Sequence, residues 1–512
     1  MSSANAVASN PVRFNARKVA VVGAGPCGLA ALKYLSAEKK FEKVVAFEQR
    51  SSPGGLWNYT PEDHDDGSFT VPKTRPTKED LDKPIWSSKS AANGATNGSA
   101  VVNGDAKEAK FISPVYERLE TNIPKQLMRF HDFPFPEESQ LFPTHRTVDR
   151  YLKDYAKEVE HLIQFQTQVV DVKLLESKET EGLVEEKWTV TTKDVLTNET
   201  REEIFDAVVV ANGHFYVPFV PEIEGIQEWH KAHPGSISHS KFYRTPDSYK
   251  DKKVIVVGNS ASGIDIGGQI STVSQLPLIN SIKSESYMSR GPAPKFKKEV
   301  PPITRLDAST RTATFSDGTT EASIDAIVFC TGYLYSLPFL SDLSPPLVTD
   351  GSRVEGVYQH IFHTPHPTLS FLVLNQRIIP FPTAECQSAV VARALAGRLA
   401  LPAAPQMRAW ELHTLAVNGE GNDFHTLWFP NDADYINAMH DWAVSAEREG
   451  EVGKAPPRWT EWHYWCRERF PDIRKAFTER GEERKGVREL DEIGFRFEEW
   501  KAQKDAEAKE LL

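Results

Sequence analysis

The chain contains few cysteines and has no excess of positive charge. Its 512 residues include four cysteines, at 27, 330, 386 and 466, and no two of them form a CxxC pair. Isolated thiols of this kind indicate a reducing compartment, and they exclude a disulfide framework and a CxxC redox centre. The formal net charge is −11. Without a basic stripe, that balance excludes nucleic acid as a main partner.

Long apolar segments are also missing. No run approaches the ~20 apolar residues that a membrane-spanning helix needs, so we expect no stable membrane insertion. Residues 1–16 lack the apolar centre of a secretory signal and are predicted to be a disordered tail, with a weak transit peptide as the alternative. Hydrophobic residues make up 40% of the chain and charged residues 26%, as in ordinary globular proteins. These features predict a cytoplasmic protein with two or three domains.

The clearest motif lies near the start of the chain. An apolar run, Val19 to Val22, is followed by the turn Gly23-Ala24-Gly25-Pro26-Cys27-Gly28, a helical pattern and a second strand that ends on Glu48. This order is typical of a dinucleotide-binding βαβ unit. Its three glycines allow a tight turn, a close approach to a pyrophosphate and close helix packing, and the terminal acid accepts hydrogen bonds from a ribose. The sequence therefore predicts a dinucleotide site.

The next glycines suggest a wall for a flat ring. Gly54-Gly55-Leu56-Trp57 combines a flexible backbone with two large apolar groups. We expect the backbone to lie against a ring system, with Leu56 and Trp57 beside it. The alternative is a loop with a buried tryptophan. Residues 60–112 then change character and are predicted to be a partly disordered surface insertion, because the stretch from Ser87 to Asp105 lacks strand or helix periodicity.

A second strand–turn–helix pattern begins at Lys253. Its turn and helix start contain Gly258, Ser260, Ser262, Gly263, Ile264 and Asp265, and the repeated pattern implies a second dinucleotide. Ser260 replaces the middle glycine. The distal strand is predicted to run from about Ser281 to Met288 and to end at Arg290 rather than at an acid, which favours a 2′-phosphate and therefore NADPH. Lys283 is a second candidate for that phosphate, and a surface arginine is the alternative for Arg290.

Two strand exits bracket this second unit. They are Asn212-Gly213 and Thr331-Gly332, each at the end of an apolar run. The fold class predicted is α/β, with two Rossmann-like dinucleotide-binding domains, the second inserted into the first and joined to it by two crossing strands. The expected bounds are a tail at 1–16, a first domain at 17–213 and 334–512, and an inserted domain at 214–333.

Shorter segments of the sequence also allow predictions. Thr121-Asn122-Ile123 precedes a proline, so its asparagine can present an amide from a non-helical backbone. Amphipathic or helical patterns predict helices from Thr147 to Ile163 and from about Ala384. Three histidines at 360, 363 and 366 have equal spacing, but Pro365 and the lack of a carboxylate or cysteine argue against a metal site, and no metal is predicted.

Together these motifs resemble the flavin-containing monooxygenases. The resemblance covers about residues 17–440, apart from 60–112. Its most specific part is Gly235 to Tyr243, which is similar to the family's FxGxxxHxxx(Y/F) sequence, although His233 stands where phenylalanine is usual. Supporting pieces are Gly54 to Trp57, Thr121 to Lys125, Asn212 to His214 and Thr331 to Tyr333.

The resemblance implies two cofactors and a set of site residues. FAD would lie at the first glycine turn and NADPH at the second. Asn122 would be the catalytic residue, placed with Thr121 and Ile123 where the nicotinamide meets the isoalloxazine. Thr331 and Gly332 would also contact cofactor, while His239 and Tyr243 would couple the domains without transferring protons.

The implied activity is an NADPH- and O2-dependent oxygenation of a small-molecule amine or sulfur compound through a C4a-hydroperoxyflavin. A soluble fungal- or microbial-like enzyme fits this reading, and a homo-oligomer is compatible with it. One alternative is a Baeyer–Villiger monooxygenase acting on ketones, against which Tyr243 argues. Another is an NADPH–flavin oxidoreductase without oxygen transfer, against which the missing CxxC argues. A non-catalytic NADPH-sensing protein is the last alternative.

Overall fold

The computed structural model describes residues 10–62, 67, 69–88, 99–102, 105–284, 294–446 and 453–510. The described strands, in chain order, are β1 (Arg13–Phe14), β2 (Lys18–Val22), β3 (Lys43–Phe47), β4 (Ile85–Ser88), β5 (Ser99–Val102), β6 (Asp105–Lys110), β7 (Ile163–Gln164), β8 (Thr167–Thr180), β9 (Leu183–Asp194), β10 (Thr200–Phe205), β11 (Ala207–Val210), β12 (Val217–Pro218), β13 (Ile237–His239), β14 (Val254–Val257), β15 (Leu278–Ser281), β16 (Lys297–Val300), β17 (Ile303–Asp307), β18 (Thr312–Phe315), β19 (Thr320–Glu321), β20 (Ala326–Phe329), β21 (Tyr333–Leu334), β22 (Val357–Tyr358), β23 (Phe362–His363) and β24 (Leu369–Phe371). The described helices are α1 (Pro26–Ala37), α2 (Lys125–Met128), α3 (His145–Ala156), α4 (Ile226–Ala232), α5 (Ala261–Ile270), α6 (Pro380–Leu395), α7 (Ala404–Asn418), α8 (Asn431–Val444), α9 (Glu461–Glu479) and α10 (Phe497–Glu510).

A seven-stranded sheet forms the first unit, in the order β22-β23-β24-β11-β2-β3-β7. Strands β24, β11, β2, β3 and β7 are parallel to their neighbours along this row. Four of the five residues of β2 are buried, because helices and a second layer cover both faces of such a sheet. Helices α1 and α6 pack together in the core on one face. The sheet β8-β9-β10 covers the other face through Trp188 and Phe205.

A five-stranded parallel sheet forms the second unit, in the order β13-β20-β14-β15-β16. All of its strands lie in the sequence between β11 and β22 of the first sheet. The prediction of two Rossmann-like units, the second inserted into the first, is confirmed. The connecting strands β12 and β21 pair antiparallel where the chain passes between the units.

Two predicted helices have different bounds. The helix expected from Thr147 to Ile163 is α3, which begins at His145 and ends at Ala156, and a short 3-10 helix follows at Glu160–Leu162. Thr144 caps α3, since its side chain accepts a hydrogen bond from the Thr147 amide. The helix expected from about Ala384 begins at Pro380, because proline fits the first helical turn, where no backbone N–H is needed.

The predicted distal strand of the second unit was wrong in its position. Strand β15 ends at Ser281, where the prediction began, so Lys283 and not Arg290 follows closely on the strand. Arg290 lies outside the described residues. Lys283 and Ser284 are polar and do not continue the apolar strand, and the remainder of the predicted strand, residues 285–288, lies outside the described residues.

The predicted insertion at 60–112 is also corrected in part. Strands β4, β5 and β6 form a three-stranded antiparallel sheet, and β5 and the start of β6 fall in the stretch for which we expected no strand. Residues 69–82, which we call the bridging segment, contact both units. Lys73 pairs with Val220 through backbone hydrogen bonds in both directions, and Asp82 accepts a hydrogen bond from Gln49. This part of the stretch therefore belongs to the packed fold.

None of the described helices is long and apolar enough to cross a membrane.

Candidate active site

The first glycine turn joins β2 to α1, as predicted. Gly23 has φ +97°, and a Cβ there would lie 2.9 Å from the Ala211 carbonyl oxygen. A Cβ on Gly28 would lie 2.0 Å from the Gly23 carbonyl oxygen, so the helix reaches this close only with glycine. Gly25 is the N-cap of α1 and has no side chain to pair with the N–H groups of the first turn. Those groups are free to bind an anion.

Glu48 closes this turn from the end of β3. Its side chain is buried, with Oε2 accepting a hydrogen bond from the Ala24 amide at 2.8 Å and Oε1 accepting one from the Arg50 amide at 2.9 Å. Each carboxylate oxygen has a second acceptor position, so both can still receive a ribose hydroxyl. The acid therefore holds the turn in shape and keeps acceptor positions for a further donor.

The Gly54–Trp57 segment docks on the same turn. The Gly54 amide donates to the Ala24 carbonyl at 3.0 Å, and a Cβ on Gly55 would lie 2.9 Å from Gly25 Cα. Both glycines have positive φ, and a 3-10 helix over Gly55–Trp57 follows. Leu56 and Trp57 are half-buried beside it. The structure thus brings Gly25, Leu56 and Trp57 into one place.

The second glycine turn, between β14 and α5, has the same construction. Gly258 has φ +109°, and a Cβ there would lie 2.5 Å from the Cys330 carbonyl oxygen. A Cβ on Gly263 would lie 2.2 Å from the Gly258 carbonyl oxygen. Ser260 is the N-cap of α5 and is exposed, and its side chain makes no capping hydrogen bond. The N–H groups of this helix start are therefore also free for an anion.

Asp265 belongs to the first turns of α5 but faces away from solvent. Its Oδ2 accepts hydrogen bonds from the Tyr116 hydroxyl and from Gln269 Nε2, the latter at 3.1 Å. Burial raises the pKa of Asp265, while the Tyr116 hydrogen bond and the charge of Arg474 act to lower it. Ser262, Gly263 and Ile264 remain at the helix start, and their exposure is partial or small.

The Thr121-Asn122-Ile123 segment is held tightly on either side of its asparagine. The Thr121 amide donates to the Pro143 carbonyl at 2.9 Å, and its hydroxyl donates to the Ile123 carbonyl at 2.9 Å. Pro124 then caps α2. The half-buried Asn122 side chain makes no hydrogen bond to the described part of the protein. A fixed backbone thus presents a free amide.

Thr331 and Gly332 lie at the crossing between the units. The Thr331 hydroxyl donates to the Phe219 carbonyl, and the Gly332 carbonyl accepts hydrogen bonds from the Phe219 amide and from His239 Nε2, each at 3.0 Å. Burial lowers the pKa of His239 to about 3, so its imidazole is neutral at physiological pH. Tyr243 donates to Gln269 on α5.

Sequence reasoning missed the residues that connect these parts. Tyr116 reaches Asp265, and Arg244 donates to the Val115 carbonyl at 3.3 Å. Glu120 is held by Arg474 and Arg484 from the C-terminal helical region. These partners lie 129 to 364 positions apart along the chain, and no local motif signals them. Among the described residues, no group of histidine, cysteine and carboxylate side chains could hold a metal.

Comparison with known proteins identifies the family. Residues 102–306 and 295–447 match the model of the flavin-binding monooxygenase-like family, and residues 21–74 match an NAD(P)-binding Rossmann-like domain. Flavin-containing monooxygenase FMO GS-OX-like 2 of Arabidopsis thaliana is 35% identical over 412 residues, which cover 78% of each chain. The chain belongs to the flavin-binding monooxygenase-like family. The resemblance inferred from the motifs is confirmed.

Solved structures agree with this assignment. S-allyl-L-cysteine S-oxygenase from Allium sativum has a TM-score of 0.69 and 28% identity, covering 94% of this chain and 97% of that one. Tmm from Pelagibacter sp. strain HTCC7211 shares the fold, with a TM-score of 0.66, 24% identity and coverage of 90% of each chain. The protein is an FAD- and NADPH-dependent monooxygenase that uses O2 and a small-molecule substrate.

The geometry of the two glycine turns is compatible with these cofactors. Side chains are sterically excluded at the first and last glycine of each turn, Gly23 and Gly28 in one and Gly258 and Gly263 in the other. No side chain caps either helix start, which leaves N–H groups for two pyrophosphates. The four cysteines, free and buried or half-buried, provide no dithiol centre.

Proposed function

We propose that each cofactor binds at one of the two glycine turns. For FAD the proposed contacts are Gly23, Ala24, Gly25, Pro26, Cys27, Gly28, Glu48, Leu56 and Trp57, together with Thr121, Asn122 and Ile123. For NADPH they are Gly258, Ser260, Ser262, Gly263, Ile264 and Asp265, with Thr331 and Gly332 at the crossing strands. Lys283, exposed two residues after β15, is proposed to pair with the 2′-phosphate, and Arg290, which lies outside the described residues, stays a prediction for the same role.

The main support for the proposal is that residues 113–122 contact residues beside both glycine turns. Ser113 donates to the Leu56 carbonyl beside the first turn, and Tyr116 donates to Asp265 on the helix of the second turn. The same segment ends with the free amide of Asn122. An amide group has two donors and an acceptor, so it could bond both a nicotinamide and a flavin held beside it. We therefore propose Asn122 as the catalytic residue.

We propose a soft nucleophilic sulfur or nitrogen as the atom that is oxygenated. Bound flavin, once reduced by NADPH, supplies the oxygen-activating chemistry. The chain's part is to bind, orient and exclude water, and the neutral His239 and the buried thiols provide no acid–base or nucleophilic pair for another route. A relative named S-allyl-L-cysteine S-oxygenase supports sulfur. Domain bounds at 17–213, 214–333 and 334–512, a cytoplasmic location and a homo-oligomer stay predictions.

The test is a count of product per NADPH. Purified protein with bound FAD is reduced anaerobically with NADPH, mixed with oxygenated buffer, and supplied with methyl phenyl sulfide or N,N-dimethylaniline. We expect S-oxide or N-oxide in near-equal amount to NADPH consumed, and no ester from cyclohexanone. Flavin that NADPH does not reduce, or hydrogen peroxide as the sole product with both compounds, would overturn the proposal.

Asn122→Ala tests the assigned residue in the same assay. Because the Asn122 side chain has no partner in the described protein, its loss should leave FAD content and folding unchanged. Product per NADPH should fall about tenfold or more, with a matching rise in hydrogen peroxide. Asn437→Ala, distant in the C-terminal helices, serves as an amide-removal control in which FAD-normalised product yield is retained. Unchanged yield in Asn122→Ala would remove the role.

A further inference from the structure

Tyr116 links the two halves of the proposed cofactor site. It lies on the segment that carries Asn122, yet its ring is buried in the core of the second unit with Tyr243, Ile266 and Ile270. The Tyr116 and Tyr243 rings meet edge to face, with centroids 5.3 Å apart. A side chain from the first unit is thus built into the second.

The Tyr116 hydroxyl completes a chain of hydrogen bonds through α5. It donates to Asp265 Oδ2, which also accepts from Gln269 Nε2 at 3.1 Å. Gln269 Oε1 in turn accepts from the Tyr243 hydroxyl at 3.1 Å. These three hydrogen bonds share their donors and acceptors in series, so each one fixes the orientation of the next side chain. The start of α5 is therefore held in one orientation relative to Tyr116.

The backbone around Tyr116 is clamped as well. Arg244 Nη1 donates to the Val115 carbonyl, and the Glu117 amide donates to the Arg244 carbonyl at 3.1 Å. Farther along, the Glu120 carboxylate accepts from Arg474, Arg484 and Gln140. The segment is therefore fixed to the second unit at 115–117 and to the first unit and the C-terminal helices at 120.

Asn122 lies six positions after Tyr116, a span of at most ~22 Å. One end is bonded to the helix whose start is proposed to hold the NADPH pyrophosphate, and the other presents the amide proposed to meet the nicotinamide. For a ligand that is held at both ends of this segment, the distance between the two ends determines where its reactive ring lies. Hydride transfer needs reacting atoms within about 3–3.5 Å, so a small change in that distance lowers the rate strongly.

We propose that Tyr116 is a positioning residue for NADPH: its bond to Asp265 sets the start of α5 at a fixed distance from Asn122, so that the nicotinamide lies over the flavin. The inference rests on the proposed function. Tyr116 touches neither substrate nor flavin in it and acts through Asp265 and Asn122.

Tyr116→Phe removes the hydroxyl and keeps the ring. We expect FAD content and thermal midpoint close to those of the unchanged protein. The anaerobic rate of flavin reduction at saturating NADPH should fall about tenfold, with a larger hydrogen peroxide share during turnover. Tyr249→Phe is the matched control, because Tyr249 is buried in the same cluster but is not bonded to Asp265. Its reduction rate should equal that of the unchanged protein.

Variants at Asp265 test whether Tyr116 acts through its hydrogen bond to Asp265. Asp265→Ala removes the acceptor of the Tyr116 hydroxyl, so its rate of flavin reduction should resemble that of Tyr116→Phe. If both act through one hydrogen bond, the double variant Tyr116→Phe/Asp265→Ala should be no slower than either single variant.

The outcomes separate the two proposals. Flavin in the unchanged protein that NADPH fails to reduce would overturn the proposed function and this inference with it. Normal reduction in the unchanged protein, with an equal rate per bound FAD in Tyr116→Phe, would overturn the inference alone. A lower thermal midpoint with an unchanged rate per FAD would assign Tyr116 a purely structural role and likewise overturn it.

Discussion

At the scale of single residues, burial of the Glu385 carboxylate makes the free energy of unfolding depend on pH. It lies inside α6 and is fully buried, with Oε2 accepting from the His131 amide at 2.8 Å and the Tyr34 hydroxyl 3.5 Å from Oε1. Burial raises the pKa of Glu385 from 4.5 to about 8. At neutral pH the folded protein therefore holds a proton that the unfolded chain has released.

The difference in the pKa of Glu385 between the folded and unfolded states determines how the free energy of unfolding changes with pH. Below pH 4.5 both states are protonated and the full contribution of Glu385 is present. Between about pH 4.5 and 8 the unfolded state binds fewer protons, so the free energy of unfolding falls as pH rises, by about 5 kcal/mol over the window. Above pH 8 both states are ionised and the loss is complete.

Glu385→Gln should remove this dependence, because the amide keeps the shape and an acceptor for the His131 amide without ionising. We expect a thermal midpoint near that of the unchanged protein at pH 5 and several degrees higher at pH 9, measured by FAD-free and FAD-bound thermal unfolding across that range. Glu479→Gln, exposed on α9, should leave the profile as it is. Parallel pH profiles for Glu385→Gln and the unchanged protein would show that Glu385 is ionised in the fold.

At the scale of elements, alanine is expected to have opposite effects at two glycines of α5, Gly263 in its first turn and Gly268 near its end. A Cβ on Gly263 would lie 2.2 Å from the Gly258 carbonyl oxygen, whereas nothing lies within 4 Å of a Cβ on Gly268. Gly263→Ala must push the helix away from the turn, since backbone cannot yield as a flexible side chain does. Gly268→Ala meets open space and gains helix propensity of about 1 kcal/mol.

The measurements are NADPH affinity and thermal midpoint. Gly263→Ala should weaken NADPH binding by about tenfold or more while FAD at the other turn stays bound. Gly268→Ala should raise the midpoint and leave NADPH affinity unchanged. An unchanged affinity in Gly263→Ala would mean that NADPH does not use this helix start.

The elements also mark what the sequence could predict. Both glycine turns were predictable because their cause is local: a few glycines between an apolar strand and a helix allow one geometry. The end of α3 at Ala156 was not, since Lys157 and Glu158 continue an acceptable helical pattern. The Tyr116–Asp265 bond joins residues 149 positions apart, so it depends on the packing of the two units and has no local signal.

At the scale of the whole molecule, the bridging segment joins the units beside their crossing strands. Its Lys73 pairs with Val220 of the second unit, and Asp82 and Lys78 contact Gln49 and Asp342 of the first. Its composition, with six charged residues and two prolines among fourteen, resembles that of a surface loop, so the sequence alone favoured an insertion. Ion pairs and backbone bridges give it a place in the fold that hydrophobic periodicity cannot signal.

The Lys73–Asp80 pair tests whether this segment holds the molecule together. Nζ and Oδ1 are 2.6 Å apart, and the two side chains are 12% and 9% exposed. Asp80 also accepts from the Thr77 amide at 2.6 Å. In Asp80→Asn the oxygen can keep the Thr77 bond, which turns the amide NH2 toward Lys73 and leaves a nearly buried ammonium group without its counter-ion. Such a loss costs about 3 kcal/mol.

Asp342→Asn is the control, since Asp342 of the first unit pairs with Lys78 of the bridging segment and both side chains are exposed, Lys78 by 65% and Asp342 by 46%. Exposed pairs are screened by water and contribute little, so its midpoint should not change measurably. Chemical denaturation of both variants gives the comparison. A larger loss in Asp80→Asn, accompanied by weaker NADP+ binding because the second unit is less firmly held, would establish that residues 69–82 couple the units. Equal, small effects of the two changes would mean that the units are joined by β12 and β21 without help from the bridging segment.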